Sequence, residues 1–275
     1  MSNLQATHSE ELIFFRQEAT LFEKVVKIGQ YVKAYTNWLE CLKLRQKVGK
    51  PTEDFRTAKF RNGLKMNVRV GTPDISILHE VLLGGAYAST ERLIQQAPQP
   101  CSVIDLGANI GAFTVRCAIA SSNVYVYSYE PGPQNANLLK RNVEINPFLQ
   151  ERVHIFQEAA AKETGTAYWQ FDECNPGGSS LTLSVKGIAV QTRSFKEILA
   201  RCEYPIALVK IDIEGSEYEL ITSTNKETWE NIPAILTEVH DDPSGESTQI
   251  EWLEQMADFG FVHQKREHST ILLSR

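Results

Sequence analysis

A chain of 275 residues with a net charge of −6 suits one large α/β domain, or one domain with a helical extension. The acidic balance argues against nucleic acid or an anionic membrane surface as partner, and no apolar run approaches the ~20 residues that span a bilayer. Five scattered cysteines form no C-x-x-C pair, which excludes a zinc knuckle and a disulfide framework; with a polar N-terminus lacking a signal-peptide pattern, they predict a cytoplasmic protein.

Residues Met1–Ser9 read as disordered, and Glu10 to about Lys47 as helical. Leu12, Phe15, Ala19, Phe22, Val26, Ile28, Tyr31 and Val32 recur at roughly helical spacing, and Gly49-Lys50-Pro51 ends the pattern. Residues 1–54 are therefore expected to form a helical extension: a cap on the main domain, or a lid or dimer arm that leaves a homodimer open. Phe55–Val70 reads as a hairpin turning at Asn62-Gly63. Asp74 is placed to cap the helix Ile75–Leu83. Tyr87 follows, as a packing aromatic or a cofactor contact. Ser89–Gln96 reads as a short helix.

The stretch Cys101–Glu130 is the centre of the chain. A short apolar strand ends on Asp105, and the turn Leu106-Gly107-Ala108-Asn109-Ile110-Gly111 follows. A helix over Ala112–Ala120 and a strand over Val124–Tyr129 end on Glu130. Strand, glycine turn, helix, strand and acid make one βαβ unit that binds a nucleoside-like ligand. Gly107 and Gly111 let the backbone approach a ligand or the neighbouring strand where a Cβ would clash. Glu130 is placed to accept hydrogen bonds from ribose hydroxyls. The turn reads D-x-G-x-x-x-G rather than G-x-G-x-x-G, and a pyrophosphate sits poorly beside Asp105. An amine, a ribose and an adenine without phosphate fit better, which points to S-adenosylmethionine.

Beyond Glu130 come a helix over Gln134–Ile145 and a strand over Val153–Gln157 that runs on into Glu158-Ala159-Ala160-Ala161. Small residues at that tip leave space for a flat adenine. Residues 165–192 read as an inserted hairpin whose Gly/Ser run is placed to fold over a substrate. Phe195–Arg201 reads as a helix capped by Ser194. Ala207–Asp212 is a buried strand broken by one lysine, then Tyr218–Ser223 a helix and Ala234–Val239 a strand. Thr248–Phe259 reads as a helix, and two last strands at Gly260–Gln264 and Thr270–Leu273 as an antiparallel hairpin.

The run Val103–Gly111, then Tyr129-Glu130-Pro131, then Val209-Lys210-Ile211-Asp212-Ile213-Glu214-Gly215-Ser216-Glu217 and Glu238-Val239-His240 resembles the class I S-adenosylmethionine-dependent methyltransferases, and more closely the FkbM family of O-methyltransferases. The likeness spans about Phe55 to the C-terminus, so residues 55–275 are expected to be the methyltransferase domain. It implies a Rossmann-like seven-stranded sheet with the last strand antiparallel. It also implies that Asp105, Gly107, Ala108, Asn109 and Gly111 hold the methionine part, Glu130 the ribose, and Glu158 and Ala159 the adenine. Such proteins mostly methylate hydroxyls of sugars, polyketides and other secondary metabolites.

Methyl transfer to an alcohol needs the oxygen in line with the methyl carbon and its proton removed as the bond forms. The residues at the strand tips that can do this are Asp212 first, then His240, then Glu238. Asp212 or His240 is the expected base, and an unperturbed imidazole titrates near 6.5, roughly. Glu217 reads equally well as a structural carboxylate at a helix start. Asp212, Glu238 and His240 together also offer ligands to Mg²⁺ or Mn²⁺. The expected activity is O-methylation of a small hydroxylated molecule; N- or carboxyl-methylation and a non-catalytic scaffold are the alternatives.

Overall fold

Seven strands build the central sheet of the computed structural model, which describes residues 21–49, 51–170, 180–182, 187–242, 244–267 and 269–275. The expected disorder of Met1–Ser9, the helical stretch before Leu21 and most of the Gly/Ser run lie outside these residues. In chain order the sheet strands are β3 (Cys101–Leu106), β4 (Val124–Tyr129), β5 (Val153–Phe156), β10 (Ile206–Ile211), β11 (Ala234–Thr237), β12 (His263–Glu267) and β13 (Thr270–Ser274). They lie side by side as β12-β13-β11-β10-β3-β4-β5. All pairs are parallel except those of β13, which runs antiparallel between β11 and β12. This is the Rossmann-like order expected from the sequence, with the last strand reversed.

The sheet is buried on both faces, and side chains alternate between two cores. Val103, Val126, Leu208 and Leu236 join one cluster; Ile104, Tyr127, Val209 and Ile235 join the other. That alternation puts Asp105, Lys210, Asp212 and Glu238 on the first face, in step with Val103, Leu208 and Leu236. The helices there are α3 (Asp74–Leu83), α4 (Ala88–Gln96), α5 (Ala112–Ala120) and α6 (Pro133–Glu144). The second face carries α7 (Phe195–Ala200), α8 (Glu217–Thr222), α9 (Lys226–Trp229) and α10 (Gln249–Asp258), packed around Trp229, Trp252 and Phe261. Ser194 caps α7 and Thr248 closes a capping box on α10.

The expected N-terminal helix is two: α1 (Leu21–Ala34) and α2 (Trp38–Gln46). The break is tertiary. Tyr35 bridges to Phe60, and Thr36 N–H donates to Lys59 O at 2.8 Å, so the chain leaves helical geometry to meet the hairpin β1 (Phe55–Lys59) and β2 (Lys65–Arg69). Tyr31 and Tyr35 are buried, while Val26 and Ile28 face outward, against the periodic reading. Asp74 does not cap α3. It sits in the first turn, and its carboxylate accepts from Arg69 N, Nε and Nη2 at 2.8–2.9 Å.

The region after β5 also departs from the sequence reading. The backbone leaves the main sheet at Gln157, and Glu158–Ala161 forms β6 of a second sheet. There it pairs with β9 (Ile188–Ser194), which pairs with β7 (Gly165–Gln170), and β7 with β8 (Ser180–Thr182). The inserted hairpin is thus part of a four-stranded sheet beside the tips of the main one. Among the described residues, no helix is long and apolar enough to cross a membrane.

Candidate active site

A cavity of about 350 Å³ opens at the carboxyl ends of β3, β4, β10 and β11, where strand order reverses and open α/β sheets take their ligands. The turn after β3 forms its floor. Gly107 has φ +77°, and a Cβ there would stand 1.8 Å from Asp212 O, so the two strand tips touch only because the side chain is absent. Gly107 N and Ala108 N both donate to Tyr129 O at 3.0 Å, which ties the turn to β4. Asn109 sits at φ +50°, and its Oδ1 is buried without a partner.

Glu130 is buried at the tip of β4. Its Oε2 accepts from Asn109 N at 2.8 Å; its Oε1 accepts from Gly132 N at 2.9 Å and from Asn135 Nδ2 at 3.4 Å. Burial pushes this carboxyl up to about 7 against those donors. Asn135 Oδ1 in turn accepts from Arg69 Nη1 at 2.8 Å, so the hairpin braces the carboxylate from behind.

The other end of the cavity is a carboxylate–imidazole constellation. The fully buried Glu217 accepts from Ile213 N at 2.9 Å and Gly215 N at 2.8 Å, which holds the turn after β10, and its Oε1 lies 3.0 Å from His240 Nδ1. His240 Nε2 then faces Glu214 Oε2 at 3.5 Å and Asp212 Oδ1 at 4.0 Å. The Glu217 hydrogen bond, and the charges of Glu217, Glu214 and Asp212, raise the imidazole to about 9 despite its burial. The working value near 6.5 anticipated from the sequence is therefore corrected: His240 is protonated at neutral pH. Burial lifts Glu214 to about 7 and raises Glu238, with Asp212 adding to both.

Lys210 was missed in the sequence. Its Nζ is buried beneath the turn, 3.1 Å from Asp212 Oδ2, 3.5 Å from Asp105 Oδ1 and 3.1 Å from Gly107 O. Burial pulls its pKa down, but Asp212 and Asp105 outweigh that and hold it above the ordinary lysine value. The signal was the one lysine in an apolar strand, two residues before the tip acid and so on the same face.

Of the residues singled out from the sequence, Tyr87, Gly107, Ala108, Asn109, Glu130, Ala159, Asp212, Glu238 and His240 line this cavity. Three do not. Asp105 is fully buried below it, with Thr114 Oγ1 donating to its Oδ2 at 2.6 Å, so it anchors the turn through Thr114 and Lys210. Gly111 faces Leu139, where a Cβ would meet Cδ1 at 2.3 Å, and serves the packing of α6. Glu158, expected at the adenine, is held by Arg193 at 2.9 Å and Arg201 at 2.7 Å; these guanidiniums outweigh burial and lower its carboxyl. Tyr87 packs on Phe113, and burial pushes its phenol up to about 12. Asp212, Glu238 and His240 can each offer one atom within 4.8 Å of the others, a spacing open to a divalent cation.

The fit to a nucleoside with an amino-acid tail lies in the donor set. Glu130 brings to the cavity a carboxylate to which ribose hydroxyls could donate, Asn109 Oδ1 is an acceptor without a partner that an ammonium could meet, and Ala159 and Ala160 line the wall with small apolar side chains.

A family model for the methyltransferase FkbM domain matches residues 105–263, more than half of the chain. "Methyltransferase sdnD" of Sordaria araneosa is 25% identical over 208 residues, 63% of this chain and 79% of that protein. "Methyltransferase 1" of Beauveria bassiana is 23% identical over 169 residues, 52% of this chain and 66% of that protein. Among solved structures, the methyltransferase FkbM of Methylobacillus flagellatus KT aligns with a TM-score of 0.47 at 13% identity, over 72% of this chain; the chain spans about half of that protein, 48%. With its motifs at the strand tips and more than half its length under one family model, the chain belongs to the FkbM methyltransferase domain family.

Proposed function

We propose that the chain is an S-adenosylmethionine-dependent O-methyltransferase acting on a hydroxyl of a small molecule, a secondary metabolite or a sugar. The observation that carries this reading is one cavity with a ribose-type carboxylate, Glu130, at one end and the His240–Glu217 pair at the other. When bound, the cofactor supplies a methyl group on a positively charged sulfur. Gly107, Ala108 and Asn109 would hold its amino-acid end, Glu130 the ribose, and Ala159 and Ala160 the adenine.

His240 is the base of this reading. Glu217 fixes the ring through Nδ1 and stabilises the imidazolium, as a carboxylate does behind a catalytic histidine. Neutral Nε2 then accepts the acceptor's hydroxyl proton from within the cavity. A pKa of about 9 makes it a strong base with a small neutral fraction at pH 7, so turnover should rise on the alkaline side. Asp212 is held by Lys210 and orients the turn more than it moves a proton.

The test is calorimetric titration with S-adenosylmethionine and S-adenosylhomocysteine, with and without EDTA, followed by methyl transfer to a panel of hydroxylated metabolites. Absence of cofactor binding sinks the reading and favours a scaffold. Transfer that survives His240→Gln unchanged favours carboxyl-methylation, which needs no base.

A further inference from the structure

The second sheet brings one tryptophan into the cavity wall. Trp169 on β7 is 7% exposed, and its Nε1 has no hydrogen-bond partner. Two other indoles of the chain are satisfied: Trp229 Nε1 donates to Thr224 Oγ1 at 2.9 Å, and Trp252 Nε1 to Glu217 O at 3.1 Å. A buried donor left unpaired costs free energy comparable to a lost hydrogen bond, so its surroundings should show what it is kept for.

Gly132 shows it. A Cβ built on this residue would stand 2.8 Å from Glu130 Oε1 and 3.0 Å from Trp169 Nε1. The missing side chain leaves a gap in which the indole N–H and the carboxylate oxygen border the same point. Glu130 Oε1 has one good donor, Gly132 N, and one long one, Asn135 Nδ2 at 3.4 Å. The 3.4 Å contact leaves one of that oxygen's two lone-pair directions weakly filled, which a closer donor can take.

We propose that Trp169 is a positioning residue of the nucleoside site, its indole N–H closing onto Glu130 Oε1 when the ribose is bound, so that the inserted sheet sets cofactor affinity through this carboxylate. The inference rests on the cofactor reading above. It gives the insertion a task besides shaping the acceptor pocket: the wall that carries Trp169 also carries the last donor of the ribose carboxylate.

Indole ¹⁵N NMR of the full wild-type chain tests this. With Trp169→Phe identifying the resonance, saturating S-adenosylhomocysteine should move the Trp169 N–H downfield as it gains an acceptor. The signals of Trp229 and Trp252 should stay. Trp169→Phe keeps a flat ring without the donor; it should weaken S-adenosylhomocysteine about five- to tenfold and move the pH midpoint of binding upward. If the indole acts through the carboxylate, Glu130→Gln and the double variant should bind equally. A Trp169 signal that stays put at saturation, or losses that add in the double variant, overturns this inference and leaves the cofactor reading standing. A wild-type protein that binds no S-adenosylhomocysteine overturns both.

Discussion

Glu217→Gln isolates the electrostatics of the proposed base. The wild-type pair is close, 3.0 Å from carboxylate to Nδ1, with Glu217 fully buried and His240 28% exposed. The imidazole stands at about 9 against an ordinary 6.5. A folded-state pKa above the unfolded one gives stability that is complete below pH 6.5 and is lost as pH rises through 9. At ~1.4 kcal/mol per unit, and discounting for the partial exposure, that loss is roughly 2–3 kcal/mol between pH 6 and pH 10. The amide should bring His240 down by at least one unit and shrink the pH-dependent part accordingly. It also turns an N–H₂ group against Ile213 N or Gly215 N, a pH-independent cost of about 1–3 kcal/mol. NMR titration of the His240 ring in EDTA, beside denaturant melts at the two pH values, separates the two effects. Where turnover is measurable, the acid limb of its pH profile should move down with the ring. A wild-type midpoint near 6.5, or a midpoint of 9 that survives the substitution, refutes the reasoning.

Four other outcomes follow from the same geometry. Gly107→Ala places a methyl 1.8 Å from Asp212 O, backbone against backbone at two strand tips, and should abolish S-adenosylhomocysteine binding in calorimetry. Gly111→Ala meets only the movable end of Leu139, so its cost should stay nearer the ~1–2 kcal/mol of a left-handed alanine, read by thermal melting. Lys210→Met strands Asp105 without its buried counter-charge and should cost about 3–5 kcal/mol in urea melts, part of it recovered by adding Asp105→Asn. Glu158→Ala removes a carboxylate clamped by two arginines away from the cavity; it should cost about 1–2 kcal/mol of stability while cofactor affinity changes less than twofold. A tenfold loss there would return Glu158 to the adenine site.

The parts read correctly from sequence are those whose causes are local. The helix Ala112–Ala120 and the strand Val124–Tyr129 fall where the glycine turn, the apolar runs and the terminal acid put them. The misread parts depend on partners far along the chain. Glu158 follows an apolar strand directly, and only its pairing with Gln191, with Arg193 and Arg201 behind it, moves it to another sheet. The break at Tyr35 needs Phe60, and the proton affinity of His240 needs Glu217, 23 residues away. Lys210 was legible: alternation sets it on the face of Asp212, and a lysine on the buried face of a central strand asks for an acid.

That lysine also explains why the two ends of the cavity form one site. A buried ammonium is unfavourable alone, and it is retained where several acceptors surround it. Lys210 Nζ reaches Asp105, Asp212 and the carbonyls of Leu106 and Gly107, so it joins the tips of β3 and β10 from below while Gly107 lets them touch from above. The turns after β3 and β10 are thereby fixed to one another. Asp212 N donates to Leu106 O at 3.2 Å, and Glu238 N to Ile211 O at 3.1 Å, which extends the brace across to β11. In-line transfer depends on how closely the two reacting groups are held in geometry, and Lys210 is a buried cation shared between adjacent strand tips. The two acids read from the sequence as ligand-binding and catalytic, Asp105 and Asp212, both meet this lysine.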